Sequence, residues 1–250
     1  MSVIKSAAIA LAVIGATAGV TSTTAMAQSG FRYNWSGLYF GAHLGGAWAE
    51  STAVDVLPPL GGYFTPNGNG FDFESSGVLG GGQIGLQHQV GNWVFGGELS
   101  GSWGDLQETI PSPYFPGSDR QTIKLSAIFT ATARLGYAWD NWMAYVKAGY
   151  AGADVEFRAF DFVGNVNYQD GLWHHGYALG AGVEYALMTG VRLGLDYTFV
   201  DLAAETMKGV NTLGGFEHYK TDADIHSVTA RLNFQLGRQE RAIERYEPLK

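Results

Sequence analysis

Apolar and polar side chains alternate with a period of two in eight separate stretches of this chain, and such a stretch is a strand with two chemically different faces. In the first, Leu38, Phe40, Ala42 and Leu44 oppose Tyr39, Gly41, His43 and Gly45. In the second, Val78, Ile84, Leu86 and Val90 oppose Gln83, Gln87 and Gln89; in the third, Trp93, Phe95, Leu99 and Trp103 oppose Glu98, Ser100 and Ser102. The fourth reads as one apolar face over nine alternate positions from Ile123 to Trp139, against Lys124, Ser126, Thr130, Thr132 and Arg134. Four more follow, with Val146 beside Lys147, Val183 beside Glu184, Leu195 beside Asp196 and Leu232 beside Arg231.

A soluble sandwich would alternate in the same way, so the connections decide. They run long, tight, long, tight: residues 50–76, then Gly91-Asn92, then 104–121, then Asp140-Asn141, then 154–173, then Leu187 to Gly190, then 201–225. Short turns at one end and long loops at the other are the pattern of a barrel threaded across an outer membrane. The expected fold is therefore an all-β, eight-stranded antiparallel up-and-down transmembrane β-barrel, with turns and termini on the periplasmic side. Tryptophan agrees: Trp35, Trp93, Trp139 and Trp142 fall at turn ends, and Trp48, Trp103 and Trp173 at loop ends. Two interfacial girdles of amphipathic rings would use these positions. Trp93 and Trp103 lie ten residues apart, which on a tilted strand covers about 25 Å, the height of an apolar band.

The first 27 residues read as a signal peptide, with Lys5 before an apolar run from Ala7 to Val20 and a small-x-small site at Ala25-Met26-Ala27. That leaves a barrel over 28–237 and a charged periplasmic tail over 238–250. No later stretch approaches 18 consecutive apolar residues, so no membrane helix is expected. Cysteine is absent, which excludes disulfides and thiolate metal sites.

Asn34-Trp35-Ser36-Gly37-Leu38-Tyr39-Phe40-Gly41, Leu195-Asp196-Tyr197-Thr198-Phe199, and His226 to Phe234 carry a resemblance. In these segments the chain resembles the small outer-membrane barrels of alphaproteobacteria, the outer-membrane immunogenic or porin-family proteins. Their architecture is similar to the barrel domain of outer-membrane protein A. The resemblance implies a barrel in the cell outer membrane, presented at the surface as an antigen; strand motifs of this kind imply little about activity. Such chains usually stop at an aromatic residue ending the last strand, whereas here Arg238 to Lys250 follow.

Enzyme chemistry finds little purchase, and no catalytic residue, cofactor or metal is expected. Gly80-Gly81-Gly82-Gln83-Ile84-Gly85 fits the spacing of a dinucleotide loop, but a strand follows it where a helix is required. His174 and His175 are adjacent and point to opposite faces of a strand. Asp222, Asp224 and His226 share a face and offer at most a weak divalent site. G-x-S-x-G and H-E-x-x-H are both missing.

The polar faces say more. Counting from the turn ends brings Glu98, Arg134, Lys147, Asp196 and Arg231 to one layer, with Glu184 and Arg192 just below. The Asp140-Asn141 turn sets Arg134 directly against Lys147, a like-charge pair that requires anions; Glu98 and Glu184 on the flanking strands are available. A barrel of eight strands is only wide enough for its own side chains, so these seven charges are expected to form a network that fills the lumen. The four long connections carry a net charge of −12, which disfavours nucleic acid as a partner. Outer-membrane lipids and lipopolysaccharide, bridged by divalent cations, are the expected surroundings, with the barrel assembly machinery as a transient partner. A structural, surface-exposed barrel is the expected function; a narrow channel is the rival, and an enzyme of the outer leaflet a more distant one.

Overall fold

The computed structural model describes residues 33–236; the expected signal peptide and charged tail lie outside the described residues. Eight strands, β1 Gly37–Asp55, β2 Gly70–Val90, β3 Trp93–Pro111, β4 Asp119–Trp139, β5 Trp142–Asp161, β6 Val166–Met188, β7 Val191–Val210 and β8 Phe216–Leu236, pair antiparallel in sequence order. β8 returns to β1 and closes the barrel. At the turn end the strands are joined by two-residue turns, with Gly91 and Asp140 at positive φ (62° and 49°) as such tight reversals require.

Each strand is far longer than its apolar band, and this corrects the reading of the long connections. Residues 50–55, 70–76, 104–111, 119–121, 154–161, 166–173, 201–210 and 216–225 are strand. The true loops are 56–69, 112–118, 162–165 and 211–215.

The unbroken face of the fourth stretch is corrected as well. An extra residue, Ser126, is inserted between the pairs Leu125–Val155 and Ala127–Asp154. A single insertion exchanges the faces of everything beyond it. Ala127, Phe129, Ala131, Ala133, Leu135, Tyr137 and Trp139 face outward, whereas Ile123 and Leu125 are buried inside. An irregularity between Leu202 and Glu205 does the same in β7, so that Met207 points inward.

The result is a barrel whose polarity inverts along its axis. In the turn-side half the outside is apolar, with Leu44, Ile84, Leu99, Val146 and Leu195 exposed, and the inside holds buried charges. In the loop-side half the outside carries charge, and the inside is an apolar core of Phe71, Phe73, Leu106, Ile123, Leu125, Val155, Phe157, Tyr168, Met207 and Tyr219.

Two ladders stop where the inversion begins. β2 and β3 pair from Val90–Trp93 only as far as Leu79–Gly104, and β6 and β7 from Met188–Val191 only as far as Gly176–Leu202. The other six ladders run to the loop ends. Above those two points the wall divides into two four-stranded sheets, β7-β8-β1-β2 and β3-β4-β5-β6, which face each other across the apolar core.

Candidate functional site

Among the described residues, a connected network of buried ion pairs fills the lumen of the turn-side half. Residues preceding β1 cork the mouth. Trp35 is fully buried there and Tyr33 nearly so, packed with Val94, Ala138, Met143, Tyr145 and Ala186. The carbonyl of Trp35 accepts from Gln87 Nε2 (2.7 Å) and its backbone N–H donates to Gln89 (2.9 Å). Trp35 is therefore not a girdle residue, as its position at a strand end suggested; the segment before β1 turns inward. The other six tryptophans, Trp93, Trp139, Trp142, Trp48, Trp103 and Trp173, are exposed on the outer wall. Tyr137 packs edge-on against Trp93 and Tyr185 packs at a tilt against Trp142.

Behind the cork lies Arg192, fully buried, with its guanidinium 5.3 Å from the Trp35 ring and 4.5 Å from the Tyr39 ring. Glu184 bridges two cations, at 3.2 Å from Arg192 and 2.6 Å from Arg134. Arg134 also donates to Glu98 (3.0 Å) and Tyr39, and stacks on Tyr145 at 3.7 Å. Glu98 Oε2 accepts in addition from Arg231 (2.6 Å) and Tyr39 (2.7 Å). Asp196 accepts from Lys147 (2.7 Å), Thr198 (2.7 Å), Tyr145 (2.5 Å) and Arg231 (3.2 Å).

All seven ionisable residues singled out in the sequence thus point into one lumen and are joined by ion pairs. Arg134 does face Lys147 across the ladder, and Glu98 and Glu184 serve Arg134. Lys147 takes Asp196 from β7 instead, a partner that only the curvature of the closed wall brings near. Tyr39 and Tyr145, which complete the network, were not singled out, although each shares the polar face of its strand.

The remaining candidates resolve outside this network. A Cβ at Gly81 would fall 2.0 Å from the Gly101 carbonyl and 2.8 Å from His43 Nε2; the glycine run lets strands and an inward histidine approach closely, without a bulge. His174 points inward to Thr221 Oγ1 (2.8 Å) and His175 outward to Tyr150 (2.6 Å). His226 stacks on Trp48 at 5.5 Å and bonds Tyr197. Among the described residues no group of histidine and carboxylate side chains is arranged to hold a metal ion.

At the loop end, residues 56–69 fold over the bore and bury Phe64. Asp55 accepts from the backbone N–H groups of Leu57 and Gly62 (both 2.8 Å), and Glu217 from Tyr63 N and Asn211 Nδ2 (both 2.9 Å). Asp161 accepts from Tyr63 Oη and Val163 N. Burial pushes the Glu217 carboxyl up from its ordinary range, whereas the backbone N–H of Gly164 and the Tyr63 hydroxyl hold Asp161 down.

A closed antiparallel barrel with an apolar outer wall has a counterpart among known families. The family model for the outer membrane protein beta-barrel domain matches residues 10–235. The chain belongs to this family. Its place is the cell outer membrane. The 31 kDa outer-membrane immunogenic proteins of Brucella melitensis and Brucella suis are each 25% identical to it over 219 residues, covering 81% of this chain and 84% of theirs. Among solved structures, the outer membrane protease OmpT of Escherichia coli superposes with a TM-score of 0.52 at 8% identity over 83% of this chain and 99% of that one, a likeness of fold alone. OprG of Pseudomonas aeruginosa covers 82% of the chain and 99% of its own at 12% identity and a TM-score of 0.48.

With the apolar wall in lipid, Ala131 lies outward near its middle and Thr132 inward. Ala131→Arg is expected to destabilise the folded barrel by about 2–4 kcal/mol, the cost of a basic residue near the bilayer midplane. Thr132→Ser should be nearly neutral. Urea unfolding in lipid vesicles measures both, and a harmless Ala131→Arg beside a disruptive Thr132→Ser would reverse the two faces.

Proposed function

We propose that this family member is a structural, surface-exposed component of the outer membrane whose lumen conducts nothing and catalyses nothing. The observation that carries this reading is the occlusion of the bore. Side chains cross it at the Trp35 cork, at the ion-paired layer and at the aromatic core, where Phe157 meets Phe73 at 6.2 Å and Tyr219 at 4.6 Å. Planar-bilayer recording from the refolded protein tests it. No steady current is expected, and reproducible open-channel steps would replace the structural reading with transport.

The loops 56–69, 112–118, 162–165 and 211–215 then face the outside of the cell, and both ends of the barrel domain the periplasm. Protease added to intact cells should cut within these loops and spare Asp140-Asn141; cleavage at that turn in intact cells would invert the orientation. Above the Trp48 and Trp103 level the outer wall presents Glu50, Asp72, Glu74, Asp222 and Asp224. Anionic lipopolysaccharide beside such a wall would be held through divalent cations rather than by direct contact.

A further inference from the structure

The ion-paired layer does not balance. Among the described residues, the membrane-spanning lumen buries four cations, Arg134, Lys147, Arg192 and Arg231, against three carboxylates, Glu98, Glu184 and Asp196. Each carboxylate already serves two cations. One positive charge is therefore left without a counter-charge in a space largely closed to water, and an uncompensated buried charge is among the most costly features a fold can carry.

Immediately on the loop side of this layer lies a cavity of about 40 Å³ whose titratable lining is His43, Lys147, Asp196 and Arg231. Around it stand Ser100, Thr130 and Thr229, whose hydroxyls make none of the hydrogen bonds found among the described residues. The carboxylate on its wall, Asp196, is already saturated: one oxygen accepts from Lys147 and Thr198, the other from Tyr145 and Arg231. The chamber thus has donors to offer, from hydroxyls, an ammonium and a guanidinium, while its charged acceptor is spent. A water needs about 10–15 Å³ by this measure, so the space suits a monatomic ion with one or two waters. On the loop side its lining turns apolar, with Leu79, Ile128, Val200 and Ile225, below the aromatic core.

We infer that this chamber binds one small monovalent anion of the halide class, which neutralises the lumen and is enclosed as the barrel folds. The ion is a structural ligand and needs no conduction path.

The test uses the full mature protein, refolded and crystallised in bromide. One anomalous bromide peak is expected in the chamber, within contact of Lys147 Nζ and the Thr130 hydroxyl. The urea midpoint is expected to rise with chloride or bromide and to stay flat in gluconate at matched ionic strength. Ser100→Ala combined with Thr130→Val removes two donors without adding bulk and should weaken halide-linked stabilisation at least about tenfold, the loss of roughly one hydrogen bond to a charged group. Lys147→Met balances the lumen and should abolish it. If either variant fails to fold, the wild-type crystal decides alone. A chamber holding only water in bromide, or midpoints equal in halide and gluconate, overturns the assignment.

Discussion

Replacing Glu98 by Gln is expected to cost the barrel about 3–5 kcal/mol, the range for deleting one partner of an enclosed ion pair. A single oxygen of this carboxylate receives Arg134, Arg231 and Tyr39, so the neutral amide strands two guanidiniums at once. Glu184 and Asp196 keep one contact to each, which holds the loss within that range. Adding Arg134→Met to Glu98→Gln should recover part of it, because the stranded charge is then removed. Urea unfolding of the refolded protein gives the three values. A loss below about 1 kcal/mol, the typical worth of an exposed pair, would mean that the lumen is wet and its charges are screened.

Phe157→Ala should be comparably damaging, at about 3–5 kcal/mol for a large aromatic removed from a packed core. Its ring is fully buried and meets Phe71, Phe73, Tyr168 and Tyr219 within 6.4 Å, so neighbouring side chains cannot collapse far into the space. Arg158→Ala, the next residue on the outer wall, should change stability by no more than about 0.5 kcal/mol. The contrast places the second source of stability outside the lipid, in an interior that resembles the core of a soluble sandwich. Equal effects at the two positions would mean that the loop-side half is an open, hydrated vestibule.

The membrane half of this fold was legible because its polarity has one meaning: polar or small groups on one face of every strand and aliphatic or aromatic groups on the other leave no second solution. Glu98, Arg134, Lys147, Glu184, Arg192, Asp196 and Arg231 could be placed inside by counting from the turns, since two-residue turns fix register. The loop-side half was not legible, because apolar-in and apolar-out strands share the same period. Ile123 and Leu125 continue the rhythm of Phe129 and Ala131 on paper; only the insertion of Ser126 sends them inside, and the sequence carries no signal that an extra residue sits there. Trp35 failed for a related reason, since an indole at a strand end suits a lipid interface and a plugged mouth equally well. The pairing of Lys147 with Asp196 needs the curvature of the closed wall, which no strand contains by itself.

The two interrupted ladders have a consequence for life in a crowded membrane. Above Leu79–Gly104 and Gly176–Leu202, segments of β2, β3, β6 and β7 lack a neighbour on one side, and unpaired strand edges invite other chains to zip onto them. These edges are guarded by charge: Asp72 and Glu74 on β2, Asp105 on β3, Asp170 on β6 and Lys208 on β7, while the Glu108 carboxylate itself takes the Glu74 backbone N–H at 2.5 Å. At the other seam Asn167 and Thr212 tie the margins together near the top (3.0 Å). Pairing along the lines where molecules standing side by side could otherwise fuse into continuous sheets would therefore force these charged groups out of water, and even a densely populated membrane keeps its barrels as separate particles.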